Sequence, residues 1–553
     1  MSPADGDSGA ATSRGTDPNA PVVIVGAGPV GLSTALGLAH HGVRSILIER
    51  DITSPVGSKA FGVWGRTLEV FDVWGLSAPL LAAGDPRDAL APIRIDTGRP
   101  IFTIDFACLG DESPMPGLLL IPQSDTERVL RDAARASDLI TWVTGEVVAA
   151  SQDDGGVSVG VRVRSGEGVV VDGPGGDGAG GDGVSGDGVS EIRGQYLVGA
   201  DGSRSVVRES QGARHVGRII DMDLLVFDIE VPDEPSDSVV RLDALRPGLL
   251  AGLRFAPGRW RVLASLRALR KATTSPSDGP PVRKPDLPTA ELSRLASSLF
   301  GRDDLRVTWQ SQATLYQQRV PHFRLGSRIL LAGDAAHLIS PAGGQGMNQG
   351  IQDAENLAFS LASALGGGDA DVMLDGYARE REHIADVVAR RAHVNTLLEM
   401  ATPTWLRPFG FWGMRFITRQ RWVMRLIARR LSMRDLRYRA RDSARLPRGR
   451  SVGRAVGRRM ADVALPRGTR LSAALGGRVG VVTIGVELAR HLECPVTCLM
   501  LERAPKRSRL RSGDVAVIRP DRTIAVVVRS PSQIELVGAV RLAGGIIRPE
   551  LAP

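Results

Sequence analysis

A glycine-rich turn near the N-terminus constrains the fold of this chain more than any other feature. The apolar run Val22–Val25 leads into a Gly-x-Gly-x-x-Gly pattern, and a helix-like segment follows. In such a turn the first glycine permits the sharp bend, the second lets backbone approach a pyrophosphate, and the third brings the helix close to the strand. The N–H groups at the helix start then attract phosphate. The pattern predicts a dinucleotide site formed by Gly26, Gly28, Pro29, Val30 and Gly31.

The next predicted strand ends in an acidic residue. Ser45–Ile48 is mostly apolar, and Glu49 and Arg50 come directly after it. A carboxylate at that distance from the glycines can accept hydrogen bonds from a ribose. The run from Pro21 to Val43 carries no Asp, Glu, Lys or Arg, which is long enough to suggest a membrane helix, but the glycines would interrupt it. We therefore predict a nucleotide site and no membrane span.

Length and charge limit the remaining possibilities. The 553 residues predict two to four domains. Three cysteines cannot form a disulfide framework for a protein of this size, which favours a reduced, cytoplasmic protein. Residues 401–460 hold 17 arginines against two aspartates, a net +15 in a chain whose total is +8, so the remainder is acidic. A basic segment on an acidic protein argues against nucleic-acid binding.

Two later motifs repeat the pattern of a strand, a turn and a helix. In YLVGADGSRSVVRES, the turn contains Asp201, and Ser203 is placed to cap the helix. In RILLAGDAAHLISPAGGQGMNQGIQDAENLA, a buried strand delivers Asp334, and a glycine-rich loop then precedes a long apolar helix. Both aspartates could simply cap turns. His337 is more readily explained as a packed, hydrogen-bonded histidine than as a catalytic one, because nothing pairs it with a nucleophile.

The order of GAGPVG, GADGSR and GDAAHLISPAGGQGMNQGIQDAENLA resembles the class A FAD-dependent aromatic hydroxylases, a family of flavoprotein monooxygenases. In style the chain is most similar to phenol and polyketide hydroxylases, because the segment after residue 461 looks like their thioredoxin-like C-terminal domain. The resemblance implies an α/β fold with a Rossmann-like FAD-binding domain, an inserted β-sheet substrate domain and a C-terminal thioredoxin-like domain. Lys59 and Phe359-Ser360 depart from the family pattern, which commonly has arginine and Trp-Lys at these places.

The resemblance also assigns cofactor contacts by position. It implies that Glu49 binds the adenosine ribose, with Arg50 beside it, and that Asp334 contacts the ribityl and pyrophosphate region. It places Asp201 in a motif used for both FAD and the nicotinamide nucleotide. The remaining implied contacts are Gln123 and Arg128 lining the cofactor channel, Pro341 and Gly344 beside the isoalloxazine, and the backbone of Gly346, Met347 and Asn348 at the flavin N1 edge.

The implied activity is a monooxygenase that uses FAD, NADPH or NADH, and dioxygen to hydroxylate a large aromatic or polycyclic substrate through a C4a-hydroperoxyflavin. Three alternatives stay open, namely a Baeyer–Villiger oxygenase on the same fold, a flavin dehydrogenase and a non-catalytic carrier of a hydrophobic ligand. The sequence names no catalytic base and no metal site. Apolar residues that could either line a substrate pocket or pack in the core are Phe61, Trp64, Phe102 and Phe106.

The predicted domain organisation combines these motifs with composition. It comprises a disordered tail at 1–20; an FAD-binding domain of residues 21–84, 116–212 and 319–400 with a flexible loop at 172–190; a substrate-binding domain of residues 85–115 and 213–318; an arginine-rich helical linker at 401–460; and a thioredoxin-like domain at 461–553. Cys494 and Cys498 are separated by three residues, not by the two of a redox pair, so no dithiol chemistry is predicted.

Aromatic residues in the arginine-rich segment suggest an amphipathic helix. Phe409, Trp412 and Phe416 are spaced to share one helical face. Such a basic helix could lie on a membrane surface. Arginine stems can also cover apolar surface within the same protein. We favour packing within the chain or a contact in a homodimer.

Overall fold

The computed structural model describes residues 19–51, 60–162, 171–172, 188–233, 238–243, 250–265, 287–339, 344–401, 407–439, 443, 445, 455–465, 468–487, 496–505, 508–529 and 531–544. The predictions for the tail at 1–18 and the glycine-rich loop at 173–187 lie outside these residues, as do Lys59, Pro341 and Cys494.

Within these residues the α-helices are, in chain order, α1 (Pro29–His40), α2 (Gly65–Val73), α3 (Ser77–Ala83), α4 (Gln123–Arg135), α5 (Val206–Ser210), α6 (Thr289–Phe300), α7 (Gly346–Leu365), α8 (Ala370–Ala401), α9 (Arg407–Ile417), α10 (Arg421–Leu431), α11 (Leu471–Leu475) and α12 (Gln533–Leu542). Among these described helices, none combines the length and the apolarity that a membrane crossing requires.

The strands are, in chain order, β1 (Val22–Val25), β2 (Ser45–Glu49), β3 (Gly62–Trp64), β4 (Asp85–Arg87), β5 (Ala89–Leu90), β6 (Pro92–Arg94), β7 (Ile104–Asp105), β8 (Leu118–Leu120), β9 (Ile140–Thr144), β10 (Glu146–Asp153), β11 (Gly156–Arg162), β12 (Val171–Asp172), β13 (Val189–Gly194), β14 (Tyr196–Gly199), β15 (Val216–Glu230), β16 (Val240–Leu242), β17 (Leu250–Ala256), β18 (Arg259–Ser265), β19 (Arg306–Arg319), β20 (Arg324–Leu325), β21 (Ile329–Leu331), β22 (His337–Leu338), β23 (Gly480–Ile484), β24 (Thr497–Leu501), β25 (Val515–Ile518) and β26 (Ile524–Val528).

Parallel strands form the core of the first large sheet. Its order is β12-β9-β2-β1-β14-β21-β20, and the strands from β9 to β21 in this order run parallel. All four side chains of β1 are buried, as expected for a parallel strand covered on both faces. The helix that follows the glycine turn begins at Pro29, because proline suits the first helical turn. The predicted Rossmann-like α/β arrangement is confirmed.

A second seven-stranded sheet, with the order β22-β19-β15-β18-β17-β16-β6, is antiparallel except for its β16–β6 pair. One of its faces packs on α6, where Phe227 and Trp260 join Leu292 in an apolar core. A hairpin at Pro257 and Gly258 joins β17 to β18, with Gly258 at φ +65°. Smaller sheets have the orders β10-β11-β13, β3-β8-β4 and β5-β7.

The C-terminal unit has a four-stranded sheet of order β24-β23-β25-β26, in which only the β23–β24 pair is parallel. A hairpin at Arg519, Pro520 and Asp521 joins β25 to β26, and α12 starts with a capping box at Ser532. This arrangement agrees with the predicted thioredoxin-like unit, of which residues 488–495 lie outside the described part of the chain. Cys498 is disulfide-bonded whereas Cys108 is free, which differs from the expected fully reduced chain.

The arginine-rich segment contains two described helices with different surroundings. In α10, Ala428 is buried in an apolar cluster with Trp64 and Phe106, as predicted for packing within the chain. In α9, Phe409 and Trp412 do share a face, but they are 68% and 72% exposed. No described element covers the aromatic face of α9. The prediction of packing within the chain is therefore confirmed for α10 and wrong for α9.

Candidate active site

The glycine turn after β1 has the geometry that its sequence requires. Gly26 has φ +99°, and a Cβ there would lie 2.5 Å from the carbonyl oxygen of Ala200. A Cβ at Gly31 would lie 1.8 Å from the carbonyl oxygen of Gly26. A Cβ at Gly28 would meet no described atom within 4 Å. The protein's own packing therefore requires Gly26 and Gly31, whereas the backbone at Gly28 is open to a ligand.

The side chain of Val30 joins the third motif to this turn. A Cβ at Gly333 would lie 2.8 Å from Val30 Cγ2, and Gly333 begins the short turn that carries Asp334. The Cα of Asp201 would lie 3.0 Å from a Cβ at Gly26. The three motifs therefore meet where the parallel strands β1, β14 and β21 end. Open α/β sheets bind their ligands at this edge.

Glu49 lies against the glycine turn, but Arg50 does not. Glu49 Oε2 accepts a hydrogen bond of 2.6 Å from the N–H of Ala27, and Oε1 accepts one of 3.1 Å from Asp51. The carboxylate is thus positioned beside the bend, where a ribose contact is predicted. The Arg50 side chain is 74% exposed, and its Nη1 lies 3.9 Å from Glu146. Arg50 is therefore a surface residue in this conformation.

Gln123 and Arg128 both belong to α4 and differ in position. Gln123 starts the helix, where its Oε1 accepts a hydrogen bond from the N–H of Ala60 at 3.4 Å and its Nε2 donates to Glu127. The Arg128 side chain is 55% exposed, and its Nε lies 3.6 Å from Asp125. Gln123 therefore contacts the segment that leads into β3, whereas Arg128 pairs along its own helix.

Asp201 caps a turn and also keeps a free acceptor. Its Oδ2 accepts a hydrogen bond of 3.1 Å from the N–H of Val207, while its buried Oδ1 has no hydrogen-bond partner among the described residues. Burial raises the pKa of this carboxyl. The cap of α5 is Ser205, whose Oγ accepts from the N–H of Arg208. The prediction of Ser203 as the cap is wrong, because the chain makes one more turn before the helix begins.

A buried charged network fixes the turn that presents Asp334 at the surface. Asp353 Oδ2 lies 2.6 Å from His337 Nε2 and accepts from the N–H of Gly333 at 3.2 Å. Asp353 Oδ1 accepts from Arg381 Nε at 2.5 Å. Burial opposes the charge of Asp353, but Arg381 and His337 outweigh it and hold the pKa of the carboxyl below its usual range. His337 is therefore packed and hydrogen-bonded, as predicted.

The side chain of Asn348 connects the loop before α7 to β3. Its Oδ1 accepts from the N–H of Trp64 at 2.8 Å, and its Nδ2 donates to the carbonyl oxygens of Gly62 at 3.1 Å and Gly344 at 3.0 Å. Asn348 is fully buried. The sequence indicated only its backbone as a flavin contact, so this positioning role of the amide is new. No sequence signal distinguishes it, because Gln349, Gln352 and Asn356 carry the same side-chain amide in the same helix.

The start of α7 suits an anion. Its N-cap residue Gln345 makes no side-chain cap hydrogen bond, and a Cβ at Gly346 would meet no described atom within 4 Å. Met347 is partly buried against the main core. The first N–H groups of a helix and its positive dipole end stabilise negative charge. Pro341, the other predicted flavin neighbour, lies outside the described residues.

The four aromatic residues near this loop divide into core and edge. Trp64 and Phe106 are both 2% exposed and form an edge-to-face pair with ring centroids 6.1 Å apart. Phe61 and Phe102 are only partly buried in the same cluster. A Cβ at Gly344 would lie 2.4 Å from Phe61 Cε1. Trp64 and Phe106 are therefore core residues, and Phe61 lies beside the Gly344 loop.

A buried ion pair on the second large sheet was not predicted from the sequence. Arg261 Nε and Nη2 each lie 2.8 Å from an oxygen of Asp228, and both residues are buried. Arg261 Nη1 also donates to the carbonyl oxygen of Ala60 at 3.1 Å. Cross-strand neighbours share a face, so Val226 and Leu263 lie beside this pair, opposite the face that packs on α6. This face of the sheet is thereby held against the segment that leads to Phe61.

Comparison with known proteins agrees with this geometry. A family model described as an FAD binding domain matches residues 19–392. The chain belongs to the class A FAD-dependent aromatic hydroxylases. An uncharacterized aromatic compound monooxygenase, YhjG, of Bacillus subtilis (strain 168) is 30% identical over 513 residues, which are 92% of this chain and 94% of that protein.

Two further relatives come from Streptomyces rimosus. A 12-dehydrotetracycline 5-monooxygenase/anhydrotetracycline 6-monooxygenase is 32% identical over 391 residues, 68% of this chain and 69% of that protein. The solved structure of OxyS anhydrotetracycline hydroxylase superposes with a TM-score of 0.69 at 26% identity and covers 96% of this chain and all of that one. The fold of this hydroxylase therefore matches that of the solved structure along almost its whole length.

The residues of this hydroxylase fit FAD. Gly28 and Gly346 each lie at the start of a helix. A Cβ added at either glycine would meet no described protein atom, so the backbone there is open to a ligand. Helix starts bind pyrophosphate and stabilise anionic groups. The acceptors Glu49 and Asp201 Oδ1 lie beside the first turn and suit ribose hydroxyls or a nucleotide amide. These donors and acceptors of the protein therefore complement the phosphates and ribose hydroxyls of a dinucleotide.

Buried arginines attach the C-terminal unit of this hydroxylase to the FAD-binding domain. Glu380 of α8 accepts bidentate hydrogen bonds from Arg519 at 2.7 and 2.9 Å, and it contacts Arg445 at 2.6 Å. Arg445 also contacts two neighbouring residues of α7. Its guanidinium lies 4.9 Å from the centroid of the Phe359 ring, and its Nη1 donates to Ser360 Oγ at 2.7 Å. Phe359 and Ser360, which depart from the family pattern, are thus the residues of α7 that contact these buried arginines.

Proposed function

We propose that this protein is an NADPH- or NADH-dependent FAD monooxygenase that hydroxylates a large aromatic or polycyclic, polyketide-like substrate. Its family membership supports FAD chemistry, and relatives named for tetracycline intermediates support the substrate class. The observation that carries the proposal is the contact of Arg261 with Ala60, because it holds one face of the second sheet beside Phe61 and Gly344. A substrate between that face and the start of α7 would lie next to bound flavin.

The roles of this chain's residues follow from their positions. Gly28 and the start of α1 bind the pyrophosphate, and Glu49 binds the adenosine ribose. The dipole of α7 stabilises negative charge at the N1 edge of the isoalloxazine, and Asn348 keeps the loop before that helix in register. Bound FAD would supply the reducing equivalents that activate dioxygen. Val226 and Leu263 give the substrate side an apolar wall that excludes water.

The nicotinamide nucleotide should reach the flavin transiently. The chain has one complete dinucleotide fingerprint, so a second Rossmann site for NADPH is not expected. The free Oδ1 of Asp201 is the acceptor that we assign to shared contacts with both nucleotides. We propose that bound substrate favours a position of the flavin that NADPH can reduce, because the substrate binds more tightly when the flavin is there. The flavin is then not reduced when substrate is absent.

Oxygen-isotope labelling and product analysis test the activity. Candidate polycyclic phenols are offered to the purified yellow protein with NADPH and ¹⁸O₂, and products are identified by mass spectrometry. One labelled oxygen in a ring hydroxyl is expected. A lactone would indicate Baeyer–Villiger oxidation, an oxidised product without label would indicate a dehydrogenase, and binding without turnover would indicate a carrier.

Stopped-flow kinetics test whether bound substrate controls the reduction of the flavin, which we call the gate. Reduction of the flavin by NADPH should accelerate at least tenfold with the true substrate, equivalent to about 1.4 kcal/mol of barrier. An equal rate with and without a ligand that is demonstrably hydroxylated would overturn the gate while leaving the activity itself in place.

We also propose a cytoplasmic location, on the composition of the chain. The disulfide-bonded Cys498 counts against this location, because disulfides are rare in reducing compartments. A homodimer in which α9 is covered remains the predicted assembly, and sedimentation of the full chain would test it.

A further inference from the structure

A basic cleft lies where α10 meets the C-terminal unit. Its volume is about 620 Å³, and it is lined by Arg429, Arg458, Ala504, Pro505, Arg509 and Leu510. Three of these six residues are arginines and none is acidic. None of the residues assigned to FAD or to the aromatic substrate lines it. The cleft is therefore separate from the active site and accounts for part of the arginine-rich segment that the oxygenase chemistry leaves unexplained.

The guanidinium groups around the cleft repel one another. Burial lowers the pKa of Arg458, and the charges of Arg437, Arg509 and Arg429 lower it further. Among the described residues, Glu112 lies 3.3 Å from Arg429 Nε and is shared with Arg425. Several guanidinium groups of the described residues thus lie close together at this cleft.

Backbone contacts between distant segments hold the arginines in place. The N–H of Tyr438 donates to Gly457 at 3.0 Å, which sets the segment of Arg437 beside that of Arg458. The N–H of Ile524 donates to the Arg458 carbonyl at 2.9 Å, which ties Arg458 to β26. The cleft is therefore built by tertiary contacts and not by one flexible loop.

Arg509 adds an independent observation. It has φ +66°, a left-handed conformation that is strained for a residue other than glycine. Such strained residues cluster at functional sites, where the side chain is required in a particular direction. Its loop is held by a hydrogen bond of 3.1 Å from the N–H of Ser508 to the Pro505 carbonyl. A glycine would relieve the strain, yet this chain has an arginine that lines the cleft.

We propose that this cleft is a second ligand site, which binds a phosphate-bearing small molecule of nucleotide size. Guanidinium groups bind phosphate oxygens in bidentate pairs, and several together hold a multiply charged group. A volume of about 620 Å³ lies within the range of small-molecule sites. The side chains of Ala504, Pro505 and Leu510 give the uncharged part of such a ligand an apolar wall.

Binding is measured by isothermal titration of the full-length, FAD-loaded protein with inorganic pyrophosphate and with 2′,5′-ADP at near-physiological salt. Saturable binding that weakens as salt is raised is expected. Arg458→Gln and Arg509→Gly should each weaken it at least tenfold, and Arg509→Gly fits the left-handed backbone, so loss of affinity cannot be attributed to a new strain. Arg541→Gln, on the exposed side of α12, is the matched control and should bind like the wild type.

The two probes distinguish the source of the ligand. Preference for 2′,5′-ADP, with a raised KM for NADPH in the cleft variants, would assign the site to the phosphorylated ribose of the cosubstrate. Equal binding of pyrophosphate with an unchanged KM would assign it to a separate phosphorylated effector. Absence of binding by the wild type, or equal affinity of wild type, Arg458→Gln and Arg509→Gly, would overturn the proposal.

Discussion

Replacing Gly28 with valine separates cofactor binding from folding. A Cβ at this position would meet no described protein atom within 4 Å, and the residue has φ −72° and ψ −178°, an extended conformation that any residue adopts. The added atoms would therefore collide only with a group that approaches the backbone from outside the protein. A pyrophosphate at the start of α1 is that group.

The expected effects on folding are small and nearly cancel. Gly28 is the N-cap of α1 without a side-chain cap, and an apolar residue at that position costs about 1 kcal/mol or less relative to glycine. Removing a glycine also restricts the unfolded chain, which is worth about 0.4–1 kcal/mol in the opposite direction. The free energy of unfolding of the flavin-free protein should thus change by no more than about 1 kcal/mol.

The expected effect on FAD binding is much larger. Each hydrogen bond from the backbone to a charged phosphate contributes about 1.5–3 kcal/mol, so losing one weakens binding by about 10- to 150-fold. Gly28→Ala adds one carbon and should give a smaller loss than Gly28→Val. The affinity is measured by titrating flavin-free protein with FAD and following the fluorescence of the flavin.

Gly31→Ala is the contrasting variant. Its Cβ would lie 1.8 Å from the Gly26 carbonyl oxygen, so this change should destabilise the flavin-free protein as well. Urea unfolding of the flavin-free forms avoids the stabilisation that bound ligand adds by mass action. Wild-type affinity for FAD in a folded Gly28→Val protein would refute the assignment of the pyrophosphate site.

Three further predictions concern other parts of the chain. Asp334→Ala should fold but purify with little flavin, and full flavin absorbance would contradict the assigned contact. The pKa of the buried Glu380 is lowered to about 2, because its two arginine partners outweigh the effect of burial. The contribution of Glu380 to the free energy of unfolding should therefore be complete above pH 4.5 and be lost as pH falls toward 2. Glu380→Gln should lower the free energy of unfolding in urea at neutral pH by about 3–5 kcal/mol and remove this part of the acid dependence. Cys494→Ser and Cys498→Ser should leave turnover unchanged, and loss of activity with flavin and fold intact would reveal redox chemistry.

The sequence alone determined the local construction of the cofactor site. Gly31 is required by a contact with the carbonyl oxygen of Gly26, five residues earlier, so this spacing can be recognised without the fold. Gly26 is required locally by its φ of +99°, whereas its contact with Ala200 arises only in the folded chain. The hairpin at Pro257 and Gly258 is likewise a local turn that the two residues specify. Cap positions were less secure, since Ser203 and Ser205 both satisfy the pattern and only the backbone path selects Ser205.

Only the tertiary structure decided which distant groups meet. The contact of Arg261 with Ala60 joins residues 201 positions apart, and that of Arg522 with Glu69 joins residues 453 apart, at 2.7 Å. An arginine-rich segment has the same composition whether its guanidinium groups face solvent or buried carboxylates, so the sequence could not separate the buried Arg445 from the cleft at Arg458. Burial and pairing depend on the packing of whole domains, because a charge enters the interior only where a partner of opposite charge is already held in place.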